Sequence, residues 1–117
     1  EIARRDTQTK TVESAKGIVE RVKELLEEIQ VNLLSRAAER TTSTTRTADT
    51  WEEFLAAFDA GGFVSGHWDG TPETEEWIKQ QTKATIRCIP LDAPEEAGTC
   101  IKTGAPSCCR VIFARAY

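Results

Sequence analysis

Apolar residues recur at helical spacing in the first third of the chain. From Ser14 onward most of them are separated by three or four positions: Ala15, Ile18, Val22, Leu25, Leu26, Ile29, Leu33 and Ala37. This spacing places the side chains on one face of a helix. Ser14 is a suitable N-cap, and the threonines after Arg40 favour a weakening of the helix, because threonine is a poor helix former. We predict one long amphipathic helix whose apolar face packs on the sheet of the core.

A second, shorter helix is predicted after a polar segment. Residues 41–45 contain only Thr and Ser, and we predict a solvated connector there. Thr50 and Glu53 have the spacing of a capping box, which marks the start of a helix. This helix is predicted to end at the pair Gly61 and Gly62. Its large apolar residues fall at helical spacing and are predicted to face the core: Trp51, Phe54, Leu55 and Phe58.

Residues 62–90 have the pattern of a strand, a turn, a short helix and a second strand. Phe63 and Val64 favour the first strand, and Thr71 followed by Pro72 is typical of an N-cap and a first helical position. Residues 84–89 predict the second strand, with Ile86 and Cys88 on one face.

The last third of the chain predicts short strands between turns. Residues 91–98 are acidic and rich in turn formers, which indicates a loop. A short strand is predicted at residues 99–101, a turn at 104–106, and a final strand at 110–117. The final strand is apolar on both faces, which is typical of a central strand. The predicted class is α+β, with a long N-terminal helix and two shorter helices packed on a small mixed or antiparallel β-sheet.

Composition narrows the class of protein. The chain has 117 residues, enough for one domain with a modest core. No apolar run approaches the ~20 residues of a membrane span, and no secretory signal is present, so we predict a cytoplasmic protein without a membrane partner. The first residue is Glu1 and not Met, so we expect the chain to be part of a longer protein. The net charge of −4 argues against a free-standing nucleic-acid binder.

The cysteines do not form the pattern of a secreted disulfide framework. There are four of them: Cys88, Cys100, Cys108 and Cys109. We interpret them as thiols or metal-ligand candidates. Cys88 is predicted to be a small buried apolar side chain on its strand. A disulfide between Cys100 and Cys108 or Cys109 is left open, because the sequence does not give the distance.

The sequence contains no recognisable catalytic constellation. Its single histidine, His67, has no nucleophile motif around it, and there is no phosphate-binding glycine loop. His67 is expected to make an ordinary hydrogen bond at the end of a strand. We assign no catalytic residue and expect the isolated chain to be inactive.

Several motifs share their order and spacing with a known family. They are G-G-F-V-x-G-H-W, then E-E-W-I-K-x-x-T-K-A-T-I-R-C-I-P, then G-x-C-I, and R-V-I-F-A-R-A-Y at the end, preceded by L-L-E-E-I-Q-x-N-L-L-x-R-A and A-D-T-W-E-E-F. Together they resemble the C-terminal domain of prolyl-tRNA synthetase, in the archaeal and eukaryote-like branch that some bacteria also carry. The resemblance covers nearly the whole chain.

This resemblance implies an accessory role in a class II enzyme that uses ATP to attach proline to tRNA(Pro). The catalytic and anticodon-binding domains would be the partners, ATP and Mg²⁺ would belong to the catalytic domain, and the full enzyme would be a homodimer. Residues 1–13 would be the end of the anticodon-binding domain or a disordered linker, and residues 14–117 the C-terminal domain. The carboxylate of Tyr117 would lie near the active site. Arg110 and Arg115 would pair with acids of the catalytic domain or simply lie on the surface.

The resemblance also implies a zinc site whose ligands have been lost. Many relatives carry four cysteines, two around the turn after H-W and two in a C-x-x-C turn. Here the matching positions are Asp69, Thr74, Cys100 and Thr103. Because threonine is a poor zinc ligand, we expect the scaffold without the metal, with the long helix and the tryptophans Trp51, Trp68 and Trp77 compensating. A rebuilt site from His67, Asp69, Cys100 and either Cys108 or Cys109 is the alternative.

Two other classes of function stay open at this point. One is an independent zinc-ribbon-like module that binds nucleic acid, against which the acidic charge and the missing thiolates count. The other is a small interaction or dimerisation module, which rests only on the apolar stripe of residues 19–34.

Overall fold

The computed structural model describes residues 1–116 and divides into two compact units, Glu1–Thr42 and Ser43–Tyr117. Within the described residues, three helices accompany small sheets. The predicted α+β class is therefore confirmed.

The first unit contains a β-hairpin and a long helix. The hairpin pairs β1 (Ile2–Arg4) with β2 (Thr9–Thr11) antiparallel, and the helix is α1 (Ile18–Thr44). Asp6, in the hairpin turn, accepts hydrogen bonds from Arg4 Nη2 at 2.7 Å and from Asn32 Nδ2 on α1 at 2.6 Å. These bonds from Arg4 and Asn32 hold the pKa of Asp6 well below its usual range. Asp6 thus fastens the hairpin to α1, in a segment for which the sequence predicted no regular element.

The limits of α1 differ from the prediction at both ends. The helix begins at Ile18, and Ser14 lies before it, where its Oγ accepts a hydrogen bond from the Lys16 amide at 3.2 Å. At the other end the helix continues to Thr44, so the connector predicted at residues 41–45 is wrong. The Thr41 hydroxyl donates to the Ala37 carbonyl at 3.0 Å. Such a bond to the preceding turn lets threonine fit a helix despite its low propensity.

The apolar stripe of α1 is mostly exposed. Leu25 is its one buried residue, whereas Leu26 is 61% and Leu33 50% exposed. The prediction that this stripe lies in the core is therefore wrong beyond Leu25. Within the first unit, a hairpin of three-residue strands is too short to cover a helix of 27 residues.

The second unit is built on a four-stranded sheet. Its elements in chain order are β3 (Thr45–Ala48), α2 (Trp51–Asp59), β4 (Phe63–His67), α3 (Pro72–Thr82), β5 (Ala84–Cys88), β6 (Gly98–Thr99), β7 (Pro106–Ser107) and β8 (Arg110–Arg115). The strand order is β3-β4-β8-β5, in which β3 and β4 are parallel and the other pairs antiparallel. The sheet is mixed, and β8 occupies the central position predicted for it.

Helix α2 covers the sheet with an aromatic face. Its predicted capping box is confirmed: Glu53 N donates to Thr50 Oγ1 at 3.2 Å, and Thr50 N donates to Glu53 Oε2 at 3.3 Å. Phe54 and Phe58 are buried, and the Phe54 ring lies edge-on to Phe113 of β8, with 5.0 Å between centroids. Leu55 was predicted to face the core but is 38% exposed, because it lies at the edge of the apolar face, about 100° around the helix from Phe54.

The start of helix α3 agrees with the prediction, whereas the strands that follow it differ from the prediction. Thr71 caps α3 and Pro72 opens it, as predicted. In β5 the pairing with β8 shifts between Ile86 and Cys88, and Cys88 is exposed. The prediction of a buried Cys88 is wrong because this bulge breaks the alternation of faces. The short strand predicted at residues 99–101 lies one residue earlier, as β6, and pairs with β7 in a separate hairpin.

Candidate functional site

A single carboxylate organises the turn between β4 and α3. Asp69 Oδ2 accepts hydrogen bonds from Thr74 Oγ1 and Thr103 Oγ1, each at 2.8 Å. Its Oδ1 accepts from Thr71 Oγ1 at 2.9 Å and from the Thr71 amide at 3.1 Å. Thr71 and Thr74 are held there by the start of α3. We call Asp69, Thr71, Thr74 and Thr103 the Asp69 cage.

Thr103 reaches the cage from a tight turn distant in sequence. The turn spans residues 100–104 and is closed by the Gly104 amide, which donates to the Cys100 carbonyl at 2.9 Å. It is joined to the end of β4 by the Ile101 amide, which donates to the His67 carbonyl at 3.1 Å. Cys100, at the start of the turn, is 2% exposed. Two turns of the chain therefore meet at Asp69.

The structure thus brings together positions that the resemblance had singled out. Asp69, Thr74 and Thr103 contact one another through hydrogen bonds, and Cys100 lies on the same turn as Thr103. Sequence reasoning assigned Thr71 only as a helix cap and missed its role as a donor to the carboxylate. An aspartate two residues before a threonine amide is the signal of an Asx turn, which was present in the sequence.

These residues do not fit a zinc ion. A structural zinc site needs about four soft ligands in a tetrahedron, and the set contains one thiol, one carboxylate and hydroxyls. Both carboxylate oxygens of Asp69 already accept hydrogen bonds. Across residues 1–116, His, Cys, Asp and Glu form no group of three or more able to hold a metal. The alternative set with His67 and Cys108 or Cys109 is not assembled, and the four cysteines are free thiols.

The cage keeps Asp69 ionised. Burial by itself raises the pKa of this carboxyl, but the hydrogen bonds from Thr103, Thr74 and Thr71 outweigh burial and lower the pKa to about 2. The carboxylate is therefore charged at neutral pH and acts as an acceptor for all its neighbours.

Acid is expected to remove the contribution of the cage to stability. The folded pKa of Asp69 is about 2, below the ~3.9 of an unfolded aspartate. Its contribution is therefore present above about pH 4 and is lost as the pH falls towards about 2. Because Asp69 is partly exposed, we expect Asp69→Asn to lower the free energy of unfolding by about 1–2 kcal/mol at pH 7.

Denaturant unfolding of the wild type and of Asp69→Asn between pH 7 and pH 2 measures the difference in their free energies of unfolding. Other carboxyls with lowered pKa values, such as Asp6 and Glu96, change both proteins equally. The difference should shrink towards zero near pH 2. A difference that is independent of pH would contradict the assignment.

A second polar cluster surrounds His67, at the end of β4. His67 is 3% exposed, its Nδ1 lies 3.2 Å from Ser107 Oγ, and its Nε2 lies 3.7 Å from Glu96 Oε1. Ser107 Oγ donates to the Cys109 carbonyl at 2.9 Å, so it accepts from His67 Nδ1. His67 thus cannot take the Ser107 proton in this arrangement. The predicted hydrogen bond at a strand end is confirmed.

The arginines of β8 have partners in their own chain. Arg110 contacts Glu96 with Nε at 2.9 Å and Nη2 at 3.0 Å, and it also pairs with Asp49. Arg115 Nε donates to the Thr82 carbonyl at 2.8 Å. Tyr117, the residue implied to lie near an active site, is outside the described residues.

Among the helices of the described chain, none combines the length and the apolar character of a membrane span.

Comparison with known proteins identifies the family. The family model "Prolyl-tRNA synthetase, C-terminal" matches residues 51–117. The whole chain is 53% identical to a proline–tRNA ligase of Parabacteroides distasonis and 53% identical to one of Flavobacterium johnsoniae. A proline–tRNA ligase of Cytophaga hutchinsonii is 51% identical. All of this chain is covered in each case, but it spans only 24% of each relative. The chain therefore belongs to the family of prolyl-tRNA synthetase C-terminal domains.

Proposed function

We propose that this chain is the C-terminal accessory part of a proline–tRNA ligase, which supports the catalytic domain and has no activity alone. The observation that carries the proposal is the identity of about half of all residues to proline–tRNA ligases over the entire chain. The reaction would be the ATP-dependent attachment of proline to tRNA(Pro). ATP and Mg²⁺ would bind to the catalytic domain, which lies outside this chain.

We propose the other domains of the same synthetase as the partners of this chain. They are the catalytic and anticodon-binding domains, and tRNA(Pro) would be bound by the complete enzyme, a cytoplasmic homodimer. Residues 1–13 would come from the end of the anticodon-binding domain or a linker. Residues 14–117 would be the C-terminal domain.

We also propose that the terminal carboxylate supports the active site. In the sequence, Tyr117 comes two residues after Arg115, the last residue of β8. By the resemblance to prolyl-tRNA synthetases, its carboxylate would lie near the active site of the catalytic domain. Asp69, Thr74, Cys100 and Thr103 would contribute only to the scaffold, as positions of a lost zinc site.

Two measurements test this function. In the full-length ligase, deletion of Tyr117 is expected to lower kcat/KM for tRNA charging about tenfold, which corresponds to roughly 1.4 kcal/mol of transition-state stabilisation. The isolated 117-residue chain is expected to show no proline-dependent exchange of pyrophosphate into ATP.

The matched control is Tyr117→Phe in the full-length enzyme, which keeps the terminal carboxylate and should stay near the wild-type rate. Unchanged charging after deletion of Tyr117 would remove the role of this residue but leave the accessory role. Exchange activity in the isolated chain would overturn the accessory role itself.

A further inference from the structure

We propose that the Asp69 cage takes the place of a bound metal and fastens three separate segments with hydrogen bonds. The segments are the turn after β4, the first turn of α3 and the turn of residues 100–104. Asp69 lies in the first of them, Thr74 in the second and Thr103 in the third. The joint is therefore built from the residues of this chain alone.

The geometry of the cage resembles a metal centre with its charges reversed. In a metal site, a central cation draws in ligands that donate electron pairs. Here a central carboxylate draws in three hydroxyls and one amide, all at 2.8–3.1 Å. Hydrogen bonds to an ionised acceptor are shorter and stronger than neutral ones. Such a centre can hold several segments together as a metal does, although each contact is weaker.

The contact with Thr103 distinguishes this joint from ordinary helix capping. Thr71 and Thr74 lie within five residues of Asp69, and local bonds of this kind occur at many helix starts. Thr103 is 34 residues away, and its bond to Asp69 is one of the links between the two turns. The hydroxyl of Thr103 therefore gives the sharpest test of a structural joint.

Replacing this hydroxyl should loosen the joint without changing the shape of the side chain. In the 117-residue chain, Thr103→Val is expected to lower the Tm by about 5 °C. Thr103→Ser keeps the hydroxyl and is expected to keep most of the wild-type Tm. The matched control is Thr99→Val, because Thr99 is also exposed and lies outside the cage on β6. A chelator should leave the wild-type Tm unchanged.

Equal Tm values for Thr103→Val and Thr99→Val would overturn the proposal, because the long-range bond would then contribute nothing. A fall in the wild-type Tm with chelator would also overturn it, since the joint would then contain a metal.

Whether Asp69, Thr74 and Thr103 converge on one point can also be tested by replacing them with cysteines, which supply thiolate ligands for a metal. The triple variant Asp69→Cys, Thr74→Cys, Thr103→Cys supplies three thiols beside Cys100. We expect it to bind one Zn²⁺ per chain, to give the visible absorption of tetrahedral thiolate coordination with Co²⁺, and to lose Tm when chelator is added. Adding Cys100→Ser to this variant removes one ligand and should weaken the binding.

A folded triple variant that binds neither ion would show that these positions do not converge on one point, which contradicts the proposal. If the triple variant folds only when Zn²⁺ is present, that result supports it. If the triple variant folds neither with nor without Zn²⁺, the Tm values of Thr103→Val, Thr103→Ser and Thr99→Val decide the test.

Discussion

Replacement of Phe113 by alanine is expected to lower the free energy of unfolding of the second unit by about 3–5 kcal/mol. Phe113 is fully buried on the central strand β8, and the ring of Phe54 packs edge-on against it at 87°. The variant loses the transfer free energy of a buried ring and leaves a cavity between sheet and helix. In a unit of this size the Tm should fall by at least about 12 °C, which thermal unfolding followed by circular dichroism measures.

Phe63→Ala is the matched control for this experiment. Phe63 begins β4, the strand beside β8, and is only partly buried. Its removal should cost clearly less, because less apolar surface returns to water. If Phe113→Ala cost no more than Phe63→Ala, the core would not be centred between α2 and β8.

A single methyl group at Gly62 is expected to destabilise the same unit by about 3 kcal/mol. Gly62 has a φ of +97°, which side chains of L-residues rarely adopt. A Cβ at this position would overlap the Thr44 carbonyl oxygen and lie 2.9 Å from Thr44 Cβ. The backbone cannot easily yield, because the next residues, Thr45 and Phe63, form the first pair of the parallel strands β3 and β4.

The neighbouring glycine provides a control that also has a positive φ but no collision. Gly61 has a φ of +73°, and a Cβ there would meet nothing within 4 Å. Gly61→Ala should therefore cost only about 1–2 kcal/mol. Denaturant unfolding of both variants separates the cost of a positive φ from the cost of the collision with Thr44. Equal losses would show that the close approach to Thr44 has no energetic weight.

The parts of the fold that depend on neighbouring residues followed from the sequence. The capping box of Thr50 and Glu53 and the Thr71–Pro72 start of α3 are complete within one helical turn, so their physical cause is local. The central position of β8 also followed, because burial on both faces requires apolar side chains on both.

The errors arose where distant segments decide the local structure. β3 follows directly after a helix and pairs in parallel with β4, so its strand form depends on a partner that the local pattern does not reveal. Cys88 is exposed because of a bulge against β8, which the spacing of apolar residues does not show. The stripe of α1 has helical spacing, as predicted, but spacing does not say whether a partner covers it.

The resemblance singled out Asp69, Thr74, Cys100 and Thr103 only as the positions of a lost zinc site. It did not reveal that hydroxyls from two turns would converge on one carboxylate. The pKa of Asp69 depends on that convergence and therefore had no signal in the sequence.

The sequence by itself determined the presence of three helices, the N-caps of α2 and α3, the central strand and the family to which the chain belongs. Each of these depends on residue order over short distances or on motifs that can be compared directly. Only the tertiary structure decided that β3 joins the sheet and that Thr103 donates to Asp69. The reason is that such bonds form between segments far apart in the chain, and the folded backbone alone sets their distance and direction.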